Sequence, residues 1–126
     1  MFAAGVDIHG VHNFADRFVG PTDRYEPTDR AQAADIAWRS SPVAYMDGWR
    51  SPVLLIHGDD DRNVAFTQTT GLVQLLRAHN VEHELIVYPD DVHDPLLHSR
   101  WLYSFDRTVE FLGRYLQPPP APAASR

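Results

Sequence analysis

The sequence predicts an α/β fold built on a small parallel sheet. Two short apolar runs, 53–56 and 85–87, are rich in Val, Leu and Ile and are bounded by turn residues, as is typical of buried parallel strands. Between them, Phe66 to His79 has the apolar spacing of an amphipathic helix. Strand, helix and strand at this spacing indicate a βαβ unit, whose strands run parallel with a right-handed crossover.

A third strand is predicted at the start of the chain. Residues 2–8, from Phe2 to Ile8, form a mostly apolar run that ends at the turn signal His9-Gly10. The following residues, 11–27, are expected to form a loop because glycine and proline interrupt them repeatedly. This strand has no predicted neighbour on one side, so we expect it to leave an apolar sheet edge open.

A short helix is predicted next. Asp29 is a favourable N-cap for a helix from Ala31 to Arg39, in which Ile36 and Trp38 are expected to make apolar contacts. The helix should end before Pro42, because the residue preceding a proline avoids the helical conformation.

The C-terminal part of the chain supplies a strand and a long helix. The strand is predicted from Glu82 to Tyr88, with residues 85–87 buried, and the helix runs from about Ser99 to Leu116. Residues 118–126 are rich in proline and alanine and are predicted to be a disordered tail. The apolar stripe expected to pack the final helix is Leu102, Phe105, Val109, Leu112 and Leu116.

Composition limits the function classes. The chain has 126 residues, enough for one domain, and its net charge of −6 argues against nucleic acid and anionic membranes as partners. It has no cysteine, which excludes disulfides and thiolate metal sites. No secretory signal or membrane-spanning run is visible, so a cytoplasmic location is expected, although a targeting segment could lie upstream of this chain. No cofactor is predicted.

An acid and a histidine follow two neighbouring strands. Asp61 ends the acidic run after strand 53–56, and His93 lies in the loop after Tyr88. Because parallel strands place their carboxyl ends at one edge of the sheet, these loops should lie side by side. A carboxylate that orients an imidazole forms the acid and the base of a nucleophilic triad. In this chain the Asp precedes the His, an order found in one class of known triads. The alternative is that the acids are merely solvated.

Four segments resemble the prolyl oligopeptidase family of serine peptidases, which have an α/β-hydrolase fold. They are FAAGVDIHGVHNF, SPVAYMDGWRSPVLLIHGDDDRNV, ELIVYPDDVHD and WLYSFDRTVEFLGRYL. The resemblance implies that residues 1–117 are the C-terminal part of a catalytic domain, carrying the C-terminal half of the sheet. It selects Asp61, rather than Asp59 or Asp60, as the triad acid and His93 as the base. The patterns most similar are those of dipeptidyl and acylaminoacyl peptidases.

The family's nucleophilic serine is not found in this sequence. No serine lies in a G-x-S-x-G motif, the turn on which the family carries its nucleophile. The resemblance therefore implies a fragment of a peptidase that acts on peptides in its full-length parent, and we expect the chain alone to be inactive.

Two other functions stay open from the sequence. The chain could be a non-catalytic partner that binds a complementary N-terminal half, or it could form a homodimer through its final helix. Alternatively, His9, His12, His57 and His93 could supply zinc ligands together with Asp61. The first two histidines lie on a predicted turn, which does not fix a shared geometry, so no metal site is predicted.

Overall fold

The computed structural model of the chain describes residues 2–18 and 29–116. The predicted tail, 118–126, and most of the predicted loop lie outside the described residues. The elements are β1 (Gly5–Ile8), a 3₁₀ helix (Phe14–Phe18), α1 (Arg30–Arg39), a second 3₁₀ helix (Pro42–Gly48), β2 (Val53–Gly58), α2 (Thr67–Ala78), β3 (His83–Tyr88) and α3 (His98–Leu116).

The three strands form one parallel sheet in the order β1-β2-β3. Val53 of β2 lies opposite Gly5 of β1 and His83 of β3, so the carboxyl ends of all three strands meet at one edge. This confirms the predicted parallel sheet and the βαβ unit. The first strand is shorter than predicted, because β1 begins pairing at Gly5 and the preceding Phe2 is exposed.

The central strand β2 separates two apolar cores. Each of its six residues is buried, and alternate side chains point to opposite faces of the sheet. On one face α2 packs against it, and on the other α3 does. The first core includes Val53, Leu55, Leu72, Val73 and Leu76; the second includes Leu54, Ile56, Tyr88 and Phe111.

The prediction that residues 85–87 are buried is wrong for Leu85, which is exposed, while Ile86 and Val87 are half-buried. The physical reason is the position of β3 in the sheet. Among the described residues, β3 pairs only with β2, so it forms an edge of the sheet and receives cover from one neighbour.

Helix α1 begins as predicted but packs differently. The Asp29 side chain accepts a hydrogen bond from the Gln32 backbone N–H at 2.9 Å, which confirms the N-cap. None of the helix residues is buried, however, and Ile36 and Trp38 are exposed. These two side chains are therefore only partly covered and do not enter the buried core.

Four of the five residues of the expected packing stripe of α3 are exposed, and only Leu112 packs against the core. Leu102, Phe105, Val109 and Leu116 are exposed, Val109 to 73% of its surface, while Leu112 is half-buried. The sheet is covered instead by the opposite side of the helix, with Phe111 and Ser104 buried. The helix is apolar on both sides, so its spacing alone could not decide which side packs.

Polar contacts fix the orientation of α3. Arg107 and Arg114 both pair with Glu84 of β3, the first at 2.8 Å, and the Tyr115 hydroxyl donates to Glu82 at 2.5 Å. These contacts hold the helix against the edge strand. No helix in the described residues is long and apolar enough to cross a membrane.

Candidate active site

Asp61 and His93 are in direct contact at the carboxyl edge of the sheet. The Nδ1 atom of His93 lies 2.7 Å from the Oδ2 atom of Asp61. The Asp61 side chain is fully buried, whereas 26% of the His93 side chain is exposed. Because a carboxylate only accepts, Nδ1 of His93 carries the proton and Nε2 is the basic nitrogen. Nε2 has no hydrogen-bond partner among the described residues.

Four donors surround the Asp61 carboxylate. Oδ1 accepts from the backbone N–H groups of Asn63 and Val64, at 2.8 and 2.9 Å. Oδ2 accepts from His93 and, at 3.0 Å, from Nε2 of His57. Burial alone would raise the pKa of Asp61, but the hydrogen bonds from Val64, His93, Asn63 and His57 outweigh it and lower the pKa to about 2. The acid is therefore ionised throughout the neutral range.

The low pKa of Asp61 makes the fold sensitive to acid. Its usual value is 3.8, so the stabilisation is fully present above about pH 4 and is lost as the pH falls towards 2. We expect the free energy of unfolding in urea to fall across this window more steeply in the native chain than in the Asp61→Asn chain. A constant difference between the two chains from pH 5 to pH 2 would contradict this.

His57 is a fixed support for Asp61. Its ring is buried, and Nε2 faces two acceptors, the Asp61 carboxylate and the Val64 carbonyl at 3.1 Å. Nε2 therefore carries the proton, and Nδ1 accepts from the Thr69 hydroxyl at 2.6 Å. The ring is satisfied on both nitrogens in its neutral form. The sequence analysis missed this role, because nothing in a single histidine after a strand reveals a partner four residues later.

The loops after β2 and β3 approach very closely. The Asp60 N–H donates to the Asp91 carbonyl at 3.0 Å, and the Asp90 N–H donates to Asp59 at 2.7 Å. Gly58 permits this approach: a Cβ atom at Gly58 would lie 2.4 Å from the Asp91 carbonyl oxygen. The His-Gly pair therefore serves the site twice, by supporting the acid and by admitting the neighbouring loop.

A buried ion pair shapes the loop that carries His93. Asp91 is buried, pairs with Arg100 of α3, and accepts from the Leu96 N–H at 3.2 Å. Burial would raise the pKa of Asp91, but these bonds, Arg100 foremost, lower it. The loop is thus tied to the first turn of α3, in which Trp101 also donates to the Pro95 carbonyl at 2.9 Å.

The two histidines near the end of β1 have different surroundings. His9 stacks on His93, with ring centroids 3.9 Å apart. His12 is buried and binds the Asp7 carboxylate at 3.0 Å and the Gln68 carbonyl at 3.1 Å. Within the described ranges, no group of three or more His, Asp or Glu side chains could hold a metal ion.

One side chain of α2 fastens the loop after β1. Gln68 accepts from the backbone N–H groups of His12 and Asn13, at 2.8 and 2.7 Å. Its amide donates in return to the Asn13 carbonyl and to Asp16. This contact was not predicted, since it joins residues more than fifty positions apart.

The serines with described hydrogen bonds are engaged away from His93. Ser40 and Ser41 donate to the Ile36 and Ala37 carbonyls of α1 at 2.8 and 2.7 Å. Ser51 donates to the Phe2 carbonyl, and Ser104 pairs with the Tyr88 hydroxyl at 2.6 Å. None of these hydroxyls is bonded to the imidazole.

Comparison with known sequences gives a consistent match. The model of the prolyl oligopeptidase family matches residues 1–119. Dipeptidyl-peptidase 5 of Porphyromonas endodontalis is 32% identical over 68 residues, which are 53% of this chain and 10% of that protein. The acylamino-acid-releasing enzyme of Mus musculus is 40% identical over 53 residues, 42% of this chain and 7% of that protein. The matched segments thus span a tenth or less of the length of these relatives.

Solved structures match over nearly the whole chain. Pyrococcus horikoshii acylaminoacyl peptidase superposes with a TM-score of 0.74 at 18% identity, over 96% of this chain and 21% of that one. At this identity the match concerns the arrangement of strands and helices.

Proposed function

The chain belongs to the prolyl oligopeptidase family of serine peptidases, and on that premise we propose that it carries the acid and the base of a catalytic triad. Its parallel strands and flanking helices are part of an α/β-hydrolase fold. We assign residues 1–117 to the C-terminal part of the catalytic domain. His93 acts as the general base, and Asp61 holds it in place.

The observation that carries this proposal is the 2.7 Å hydrogen bond between Asp61 and His93. It fixes the imidazole as the Nδ1–H tautomer, which leaves Nε2 to take a proton from an attacking hydroxyl. The buried carboxylate then stabilises the imidazolium that forms, because its negative charge lies beside the new positive charge. The His93 side chain is 26% exposed, and in this proposal its Nε2 atom meets the nucleophile.

The chain does not supply the nucleophile in this proposal. It has no G-x-S-x-G motif, and loss of a triad serine costs on the order of 10⁶ in kcat. The serine is provided by further peptidase sequence that packs against β1, whose outer edge has no strand partner among the described residues. The substrate is a peptide, as the names of the dipeptidyl and acylamino-acid-releasing relatives suggest.

A chimeric enzyme tests the proposal. Residues 1–117 replace the matched segment of Pyrococcus horikoshii acylaminoacyl peptidase, whose remaining chain provides the upstream part of the domain. We expect the chimera to hydrolyse the parent enzyme's substrate and to react with a fluorophosphonate, whereas the isolated chain does neither. His93→Gln should reduce kcat by roughly 10⁶ and Asp61→Asn by roughly 10⁴.

Two substitutions serve as matched controls in the chimera. Asp60→Asn and His79→Gln alter exposed residues of the same types, and neither should change kcat more than about twofold, because neither side chain contacts Asp61 or His93. Activity that survives His93→Gln would contradict the proposal.

A second candidate function rests on the exposed apolar side of α3. Leu102, Phe105, Val109 and Leu116 could bind another protein surface, so the chain would act as a non-catalytic interaction or complementation partner, or as a homodimer. This function predicts a chimera that folds and unfolds cooperatively but shows no hydrolysis.

A further inference from the structure

We propose that His9 is a positioning residue whose imidazole holds the ring of His93 in the orientation that keeps Nδ1 on Asp61. The contact is direct: the two ring centroids are 3.9 Å apart and the ring planes are inclined by 44°. The inference rests on the proposed function, in that His93 is taken as the base of the site. It assigns His9 no contact with substrate.

The backbone at His9 directs the side chain towards His93. His9 follows the last residue of β1, and its N–H donates to the Ile56 carbonyl at 2.8 Å, which extends the ladder between β1 and β2. Its φ angle is 44°, in the left-handed region that a side chain other than glycine rarely adopts. Strained conformations of this kind are retained where the surroundings fix them, often at functional sites.

The ring contact with His9 restricts rotation of the His93 ring. The hydrogen bond from Nδ1 to Asp61 fixes one point of the ring, but the ring can still rotate about its side-chain bonds because it is partly exposed. A second ring whose centroid lies 3.9 Å away, inclined by 44°, hinders that rotation. His57 lies farther from His9, with ring centroids 6.4 Å apart, and is already fixed by its own bonds.

The surroundings of His9 favour the uncharged form of its ring. Burial is the main cause that lowers its pKa, and the neighbouring His93 and His57 act in the same direction. Asp61 and Asp94 oppose them with a smaller effect. A neutral ring does not repel the imidazolium that His93 becomes when it accepts a proton.

The test uses proton and ¹⁵N NMR of the isolated chain. The Nδ1 proton of His93, bonded to a buried carboxylate, should give a low-field signal that exchanges slowly with water. His9→Gly removes the ring and suits the left-handed backbone, so the chain should fold. We expect this variant to exchange the His93 proton at least tenfold faster, or to lose the signal.

A second variant and an internal reference complete the experiment. His9→Phe keeps a planar ring at the same position and should preserve slow exchange of the His93 proton. The Nε2 proton of His57, whose ring is fully buried, should stay unchanged in both variants, because His9 does not fix it. If the His93 Nδ1 proton exchanged equally slowly in the native chain and in His9→Gly, the inference would be overturned, while the Asp61–His93 pair would stand.

The two proposals fail in different ways. A native chain whose His93 Nδ1 proton is not bonded to Asp61, shown by a signal that Asp61→Asn leaves unchanged, would overturn both the pair and the role of His9. Loss of the signal in Asp61→Asn together with insensitivity to His9→Gly would overturn the role of His9 alone.

Discussion

Asp61→Asn is expected to destabilise the chain by about 3 kcal/mol at neutral pH. The carboxylate accepts from four donors, two at each oxygen. An amide has only one accepting oxygen, so its NH₂ group faces either the two backbone N–H groups or the two histidines, of which His57 keeps the Val64 carbonyl. Each buried donor left unsatisfied costs about 1–3 kcal/mol. Urea unfolding followed by circular dichroism measures the difference directly.

The adjacent acid provides the control. Asp60 is 51% exposed and forms a surface pair with Arg62 at 3.1 Å. Pairs of this kind contribute about 0.2–1 kcal/mol, so Asp60→Asn should change stability by less than about 1 kcal/mol. If the two substitutions had equal effects, the four bonds to Asp61 would not carry the stability assigned to them.

Gly58→Ala is expected to destabilise the chain by about 2–3 kcal/mol and to separate Asp61 from His93. The added Cβ atom would lie 2.4 Å from the Asp91 carbonyl oxygen and 2.9 Å from that of Val92. Both atoms belong to the backbone, so a side-chain rotation cannot relieve the overlap. The loop after β3 must move away, and it takes His93 with it. Urea unfolding measures the stability, and the low-field His93 proton reports the separation.

A second glycine makes the comparison specific. A Cβ atom at Gly71, inside α2, meets nothing within 4 Å. Gly71→Ala should therefore stabilise the helix by up to about 1 kcal/mol, the usual difference in helix propensity. A Gly58→Ala chain as stable as the native one, with its His93 signal intact, would show that the two loops do not need this close approach.

The juxtaposition of the acid and the histidine could be predicted because it follows from topology. A βαβ unit places successive strand ends together, and the residue patterns located Asp61 and His93 in the loops that follow. The strand and helix positions follow from apolar periodicity, which agrees with the structure to within a few residues for β2, α2, β3 and α3.

The packing of α3 could not be predicted because periodicity does not specify direction. Phe111, Leu112 and Tyr115 pack on the sheet, while the exposed side of the helix carries an equally regular set of apolar residues, Leu102, Phe105, Val109 and Leu116. The predicted burial of Leu85 was wrong for a related reason. An apolar run predicts a strand, but whether the strand is buried depends on neighbouring elements that the run does not encode.

The contacts that support the site could not be predicted from the sequence either. The hydrogen bond between His57 and Thr69 and the ring contact between His9 and His93 join residues from different parts of the chain, and their geometry depends on the final position of each backbone. A positive φ at His9 is a property of the folded chain that no local pattern announces.

Two adjacent residues of α2, Gln68 and Thr69, each hold one part of the site. Gln68 secures the loop after β1, close to His9, while Thr69 fixes the ring of His57 beneath Asp61. A small shift of this first helical turn would therefore misalign the acid and the histidine pair at the same time. Gln68 and Thr69 do not touch the imidazole of His93. We nevertheless expect a substitution of either residue to impair the site as a substitution of a site residue would.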